Sequence, residues 1–231
     1  MSVAAPASDK QRFYDTIADS FDDIMNEYDV NRRLEVVFNE LLASCDLRGL
    51  RLLDAGCGTG RFSEWAIQRG AAVTSLDIGP ALLRTAGKRC RSQLTCGDVT
   101  RLPFGDATFD IVVSSECIEH TPDPRRAVME VVRVCRPGGR VVITCPNRVW
   151  RWSCTLANLL GLRPYSGLEN WPGYYQLRCW LRSAGCRDLG SAGIHFFPFV
   201  VKATHPLLRS LDRLGRSFGP LFVNQAHLAT K

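Results

Sequence analysis

The apolar positions change period along the chain, and the change divides it. Over 9–45 they recur at helical spacing: Phe13, Ile17, Phe21 and Ile24, then Leu34, Val37, Phe38 and Leu41,. From Arg51 onward, short apolar runs alternate with helical stretches. Strands are predicted at 51–55, 72–78, 93–96, 109–115 and 140–145, and helices at 62–69, 80–90 and 124–135. Pro80 stands in a first helical turn, where its missing N–H is harmless. Pro137-Gly138-Gly139 is expected to stop the third of these helices,. Short apolar strands separated by helices are the pattern of a parallel sheet covered on both faces.

The regularity fades after Pro146. Residues 149–170 read as a partly helical insertion, broken by Gly161, Pro164 and Gly167,. A helix at 173–183, a sixth strand at 187–191 and a terminal, antiparallel strand at 222–229 follow. The expectation is an α/β fold: a Rossmann-like, mostly parallel seven-stranded sheet with helices on both faces, an N-terminal helical cap and an insertion after the fifth strand. One domain is expected over 1–231, with the cap at 9–47, a ligand-binding core at 48–147 and an acceptor-side cap with the last strands at 148–231.

Composition adds little until it is divided. The 231 residues are enough to bury a sizeable core,. No apolar run reaches the roughly 18 residues of a membrane span, and residues 1–20 lack the charged and apolar regions of a secretory signal. A cytoplasmic protein is expected. The 10 cysteines include no C-x-x-C pair. Cys96, Cys117 and Cys145 fall in strand-like runs and read as reduced core thiols. The formal charge of +6 is uneven: 148–231 holds 11 Lys and Arg against 3 Asp and Glu, and 12 of the 21 aromatic residues. This basic, aromatic third predicts a specialised surface. Leu207, Leu208, Leu211 and Leu214 share one helical face, and Arg209, Arg213 and Arg216 another. Such a helix either makes a peripheral membrane contact or packs on the sheet with its arginines solvated. Trp150, Trp152, Trp171, Tyr174 and Tyr175 either line an apolar pocket or pack the cap on the core.

The candidate chemistry lies at the strand ends. The first strand ends at Asp54 and runs into Gly56-Cys57-Gly58-Thr59-Gly60. Glycines let the backbone approach a ligand closely, and the following helix offers it free N–H groups. A dinucleotide fingerprint needs a third glycine at 61, where Arg61 stands,. A pyrophosphate is thereby disfavoured, and a nucleoside bearing an amino acid is favoured. No Walker loop is present. The second strand ends in Asp77-Ile78, where a carboxylate accepts both ribose hydroxyls and repels a 2′-phosphate. The third ends in Asp98-Val99, where an acid accepts an adenine amino proton.

With these residues in place, 48–147 resembles the class I S-adenosylmethionine-dependent methyltransferases, in LLDAGCGTGRF, TSLDI, CGDVTRLPF, FDIVVSSECIEHTPDP and VCRPGGRVVITCPN. The resemblance implies S-adenosyl-L-methionine as cofactor. It places Gly56, Gly58 and Gly60 under the methionine part, Asp54 at its end as organiser of the loop, Asp77 on the ribose, and Asp98 with Val99 beside the adenine. Ile78 and Ser115 complete the expected cofactor contacts. Cys57 reads as a packing residue. The E-x-x-E-H pattern of 116–120, with T-P-D-P and T-C-P-N-R, is similar to the O-methyltransferases of ubiquinone biosynthesis. That likeness sets Glu116, Glu119 and His120 on the acceptor side, either as ligands of a divalent cation such as Mg or, for His120 and Glu119, as a catalytic pair. A histidine can take the proton of an acceptor hydroxyl, and a cation can lower that hydroxyl's pKa. Alternatively, His120 only shapes the pocket.

The expected function is methyl transfer to a small-molecule acceptor, through an aromatic, quinone-like or lipid-like hydroxyl. An RNA methyltransferase is a second reading, drawn from the basic last third. Against a nucleic-acid partner, Ser115-Glu116-Cys117-Ile118 stands where base-nitrogen methyltransferases carry N-P-P-Y. A non-catalytic nucleoside-binding module is a third reading, opposed by the intact glycines and acids.

Overall fold

A computed structural model describes residues 26–159, 169–197 and 210–231. Seven strands form one sheet: β1 (Arg51–Ala55), β2 (Ala72–Asp77), β3 (Gln93–Cys96), β4 (Phe109–Ser115), β5 (Cys135–Pro146), β6 (Arg187–Ile194) and β7 (Asn224–Thr230). Their order is β3-β2-β1-β4-β5-β7-β6. The first five run parallel, and β7 lies antiparallel between β5 and β6. The helices that position the site are α1 (Glu27–Leu34), α2 (Arg61–Gln68), α3 (Pro80–Arg89), α4 (Pro124–Val134), α5 (Arg151–Leu159) and α6 (Tyr174–Ser183), with a single turn, α7, at Gly215–Phe218.

Side chains alternate across the sheet, although both faces are apolar. Leu52, Ile111, Val113 and Val142 face one side, against Leu34, Val37 and Phe38 of the N-terminal segment and Phe62 of α2. Leu53, Val112, Val141 and Ile143 face the other, against Val128 and Val131 of α4 and Leu177 and Leu181 of α6. Burial on both faces explains why these strands read as continuous apolar runs. Local chemistry starts the helices. Asn26 accepts the N–H groups of Tyr28 and Asp29 at 3.1 and 3.3 Å before α1. Asp123 accepts that of Arg126 at 3.0 Å before α4, with Pro124 as the first helical residue,.

Several expectations need adjustment. Strand β5 begins at Cys135, and Pro137-Gly138-Gly139 is absorbed into it rather than forming a separate stop. The reason is long-range: Gly138 N–H donates to Lys231 O, and Lys231 N–H to Gly139 O. Past Leu34 the cap widens into a π-helical turn, Glu35–Leu41. Phe13, Ile17, Phe21 and Ile24 lie outside the described residues. The five cap aromatics named above differ in exposure. Trp171 and Tyr174 are buried, whereas Trp152 and Tyr175 are 56% and 69% exposed. The leucine–arginine helix lies outside the described residues up to 209. Beyond it Arg213 and Arg216 are exposed and Leu211 is half-buried, but Leu214 is exposed too, and Asp212 is buried. Cys96 is exposed, Cys117 half-buried and Cys145 buried. Among the described residues, no helix is long and apolar enough to cross a membrane.

Candidate functional site

The crevice between β1 and β4 marks the switch point of the sheet, so a ligand site is expected outside their carboxyl ends,. The loop after β1 folds back over β2. Gly56 and Cys57 donate their N–H groups to Leu76 O at 2.8 and 2.9 Å. Gly58 N–H donates to Asp77 Oδ2 at 2.9 Å, and Gly79 N–H to Asp77 Oδ1 at 2.8 Å. After β3, Gly97 N–H donates to Asp77 O at 3.0 Å. One buried carboxylate thus ties the glycine loop to the second strand end. Asp98 is exposed and accepts Thr100 N–H at 2.8 Å, with Val99 buried and Ile78 half-buried beside it.

Two of the loop glycines are also required by the protein's own packing. Gly56 has φ 85°, and a Cβ there would stand 2.3 Å from Cys117 Sγ, on the loop after β4. Gly60 has φ 83°, and its Cβ would stand 2.9 Å from Ala86 Cβ of α3. Neither position accommodates a side chain. Arg61, which breaks the dinucleotide spacing, reaches Asn31 Oδ1 of α1 at 3.0 Å. Burial pushes the Cys57 thiol well above its ordinary value, in keeping with a packing role,.

Asp54 turns beneath the loop rather than into it. Ser63 Oγ donates to its Oδ2 at 2.6 Å, and the hydroxyls continue through Ser75 to Ser92, each contact 2.6 Å. Burial pushes the Asp54 carboxyl from its ordinary 3.8 up to about 7, with the Ser63 hydroxyl pulling the other way. The folded state therefore binds this proton more tightly than the unfolded chain. Its stabilising contribution is complete below about pH 4 and is lost as pH rises through 7, a change on the order of 4 kcal/mol. Asp54→Asn should flatten this slope and be the more stable protein at pH 8. Urea denaturation at pH 5 and 8 checks this; parallel slopes for the two proteins would contradict it.

The tip of β4 meets the cap in a buried polar cluster. Glu116 has φ 51°, a left-handed conformation costing a non-glycine residue roughly 1–3 kcal/mol,. It is held by its N–H to Thr144 O at 3.0 Å and by the Thr144 hydroxyl to Oε1 at 3.3 Å. Ser115 Oγ lies 2.8 Å from Thr144 Oγ1. Above them sits Arg33 of α1, 3% exposed. Its guanidinium lies 2.8 Å from Asp29 Oδ2, 3.5 Å from Ser115 Oγ and 3.9 Å from Glu116 Oε1. Asp29 Oδ1 is 2.7 Å from His195 Nε2 and accepts from Asn224 Nδ2 at 3.1 Å. Asp212 accepts His195 N–H at 2.9 Å and Arg32 Nε at 3.1 Å. Burial pushes Glu116 up to about 7, against the pull of Arg33. Burial acts on Asp29 too, but Arg33 and His195 override it and hold that carboxyl at about 2.

Sequence reasoning missed Asp29, Arg33, His195, Asp212 and Asn224. The only local signal was the i, i+4 spacing of Asp29 and Arg33, which is ordinary on a solvated helix face. The expected metal triad does not converge. Glu116 turns to Arg33 and Thr144, while buried Glu119 and His120 face each other, Oε1 to Nε2, at 3.8 Å. Asn170 clamps their turn, its N–H donating to Glu119 O and its Nδ2 to Thr121 O, both at 2.8 Å. Among the described residues, no three His, Cys, Asp or Glu side chains gather to hold an ion. The cation beside Glu116 is a guanidinium of the chain itself, and the three residues do not fit a Mg site.

Comparison with known proteins agrees with this geometry. The family described as "Methyltransferase domain" matches residues 53–143. The chain is 31% identical over 166 residues to a ubiquinone biosynthesis O-methyltransferase of Coxiella burnetii, covering 66% of this chain and 70% of that one. It is 30% identical over 206 residues to a demethylmenaquinone methyltransferase of Paenarthrobacter aurescens, covering 76% and 80%. Among solved structures, the 4+2 cyclase SpnF superposes with a TM-score of 0.70 at 20% identity, over 100% of this chain and 98% of that one. The last likeness speaks for the fold alone, which hosts more than one chemistry. The sequence likenesses go further, and with the glycine loop and ordered strand ends they lead to one conclusion: the chain belongs to the class I S-adenosylmethionine-dependent methyltransferases.

Proposed function

We propose that the protein transfers a methyl group to the oxygen of a small aromatic, quinone-like or lipid-like hydroxyl. S-adenosylmethionine supplies, when bound, a methyl group already activated by a sulfonium. Gly56, Gly58 and Gly60 form its cradle, and the Asp77 carboxylate takes the ribose hydroxyls. Asp98, Val99 and Ile78 flank the adenine, and Ser115 closes the site at the tip of β4. Asp54 braces the loop from below through Ser63. The acceptor lies beneath α1, against Ser115 and Glu116. Glu119 and His120 border that space and orient the acceptor. Alignment and exclusion of water supply much of the rate enhancement in such a displacement.

Support for oxygen as the target comes chiefly from one observation. The likeness to a ubiquinone biosynthesis O-methyltransferase spans more residues than the cofactor-binding core contains. The test is methyl transfer from isotopically labelled S-adenosylmethionine to catechols with and without a prenyl chain, to naphthoquinols and to bulk RNA. A labelled methoxy product from a catechol or quinol is expected. Label in RNA alone, or on carbon or nitrogen alone, would overturn the proposal.

A further inference from the structure

We infer that Asp54 makes the site favour S-adenosylmethionine over its demethylated product: the carboxyl holds a proton in the free protein and passes it out along a chain of serine hydroxyls when the positively charged cofactor binds. This rests on the cofactor site proposed above. Asp54 is 1% exposed, and Ser63 and Ser75 are fully buried. Asp54 and Ser75 are register partners on β1 and β2, Ser63 lies on α2, and Ser92 is half-buried just before β3. The three oxygen–oxygen contacts between them, each 2.6 Å, run across one face of the sheet from beneath the glycine loop to the β3 edge. They emerge at the amino end of β3, not at the carboxyl ends where the cofactor is placed.

Proton counting sets the state of Asp54. A hydroxyl has one proton to donate. Ser75 Oγ donates to Ser92 Oγ, and Cys90 Sγ donates to the same oxygen at 3.8 Å. The Ser63 proton would then have to serve both Asp54 and Ser75. One further proton completes the chain, and a protonated Asp54 supplies it: Asp54 donates to Ser63, Ser63 to Ser75 and Ser75 to Ser92. In the ionised state every donor turns round, Ser92 to Ser75, Ser75 to Ser63 and Ser63 to the carboxylate. The exchange balances. Ser92 gives a proton to water as it receives one from Ser75, Ser75 receives one from Ser63, and Ser63 receives the carboxyl proton.

The charges around Asp54 decide when this happens. Among the described residues, no Lys or Arg pairs with it. The titratable groups facing it are Asp77 from the end of β2, Cys57 from the loop and Cys90 after α3. Glu64 of α2 and Arg89 of α3 pair with each other at 3.7 Å, and β4 opposes Asp54 with Val113. Burial and the Asp77 charge both favour the protonated carboxyl. A ligand of net positive charge on the same loop opposes them. S-adenosylmethionine carries one net positive charge, from its sulfonium. S-adenosylhomocysteine, whose sulfur is neutral, carries none.

The test is calorimetric titration in buffers of different ionisation enthalpy, which counts the protons exchanged on binding. With the Asp54 carboxyl at about 7 in the free protein, S-adenosylmethionine should release roughly half a proton at pH 7 and bind about tenfold more tightly at pH 8 than at pH 6,. The released proton is held only below the free protein's value, so affinity falls as pH drops through it. S-adenosylhomocysteine should show less than half of both effects. Asp54→Asn has no carboxyl proton to lose and should lack this release. Protons that titrate on the ligand itself are common to both proteins and cancel in the comparison. Ser75→Ala removes a donor that supports the ionised state, so its release should persist with the midpoint moved to higher pH. Thermal transitions check that both variants are folded. Equal release from Asp54→Asn and wild type would overturn the inference, as would equal release with the two ligands. An unchanged midpoint in Ser75→Ala would overturn the part given to the hydroxyl chain. Binding of neither ligand at any pH would overturn the cofactor site itself.

Discussion

Asp77→Ala is expected to weaken S-adenosylmethionine binding by at least about 100-fold. The carboxylate has one proposed and one structural function, and both are lost. In the proposed site it accepts the ribose hydroxyls, and hydrogen bonds to a charged acceptor contribute roughly 1.5–3 kcal/mol each. Its occupied lone pairs hold Gly58 N–H and Gly79 N–H, so the glycine loop and the start of α3 lose their common anchor. Asp77→Asn retains one acceptor oxygen and should fall between the alanine variant and wild type. Calorimetric titration measures all three proteins. An affinity for Asp77→Ala within threefold of wild type would contradict this role.

Arg33→Met should cost about 3–5 kcal/mol of folding stability at neutral pH, because removing one partner leaves buried charge uncompensated. Methionine keeps much of the volume, so the loss reports on charge rather than on a cavity. The pH dependence gives the mechanism a signature. Arg33 lowers the Asp29 carboxyl, so its contribution is present above the ordinary carboxylate pKa and is lost as pH falls through the depressed one,. The gap between variant and wild type should therefore narrow toward pH 3. Asp29→Asn in the same chain should recover part of it. Urea denaturation across pH checks each point, and a cost under 1 kcal/mol at pH 7 would contradict the account.

The parts of the molecule legible in the sequence are those set by local rules. The run of Leu52 and Leu53 into Asp54, the break at Gly56 and the apolar restart at Phe62 follow from strand, turn and helix preferences. They carried the parallel core, the glycine loop and the acids at 77 and 98. The extra length of β5 was hidden because its partner is the chain's last residue, Lys231. Gly56 was read through a ligand, yet its lost Cβ is needed first by Cys117. The cap cluster was illegible for a different reason. Arg33 sits next to Leu34 in an amphipathic pattern and looks solvated; only the meeting of α1, β4, β6 and β7 buries it. His195 lies in an apolar stretch that gives no hint of Asp29, 166 positions earlier. The E-x-x-E-H spacing misled in the opposite way. Proximity in sequence suggested convergence, but the left-handed Glu116 turns its carboxylate toward Arg33 and Thr144, away from a shared metal site.

The central claim is that the carboxyl ends of β1, β2 and β3 bind S-adenosylmethionine. Backbone amide NMR shifts recorded during titration with S-adenosylhomocysteine test it most directly. The account predicts perturbations at Gly56, Gly58, Gly60, Asp77, Ile78, Asp98 and Val99 that saturate at one equivalent. Unchanged shifts at these residues, or changes confined to another part of the molecule, would contradict it.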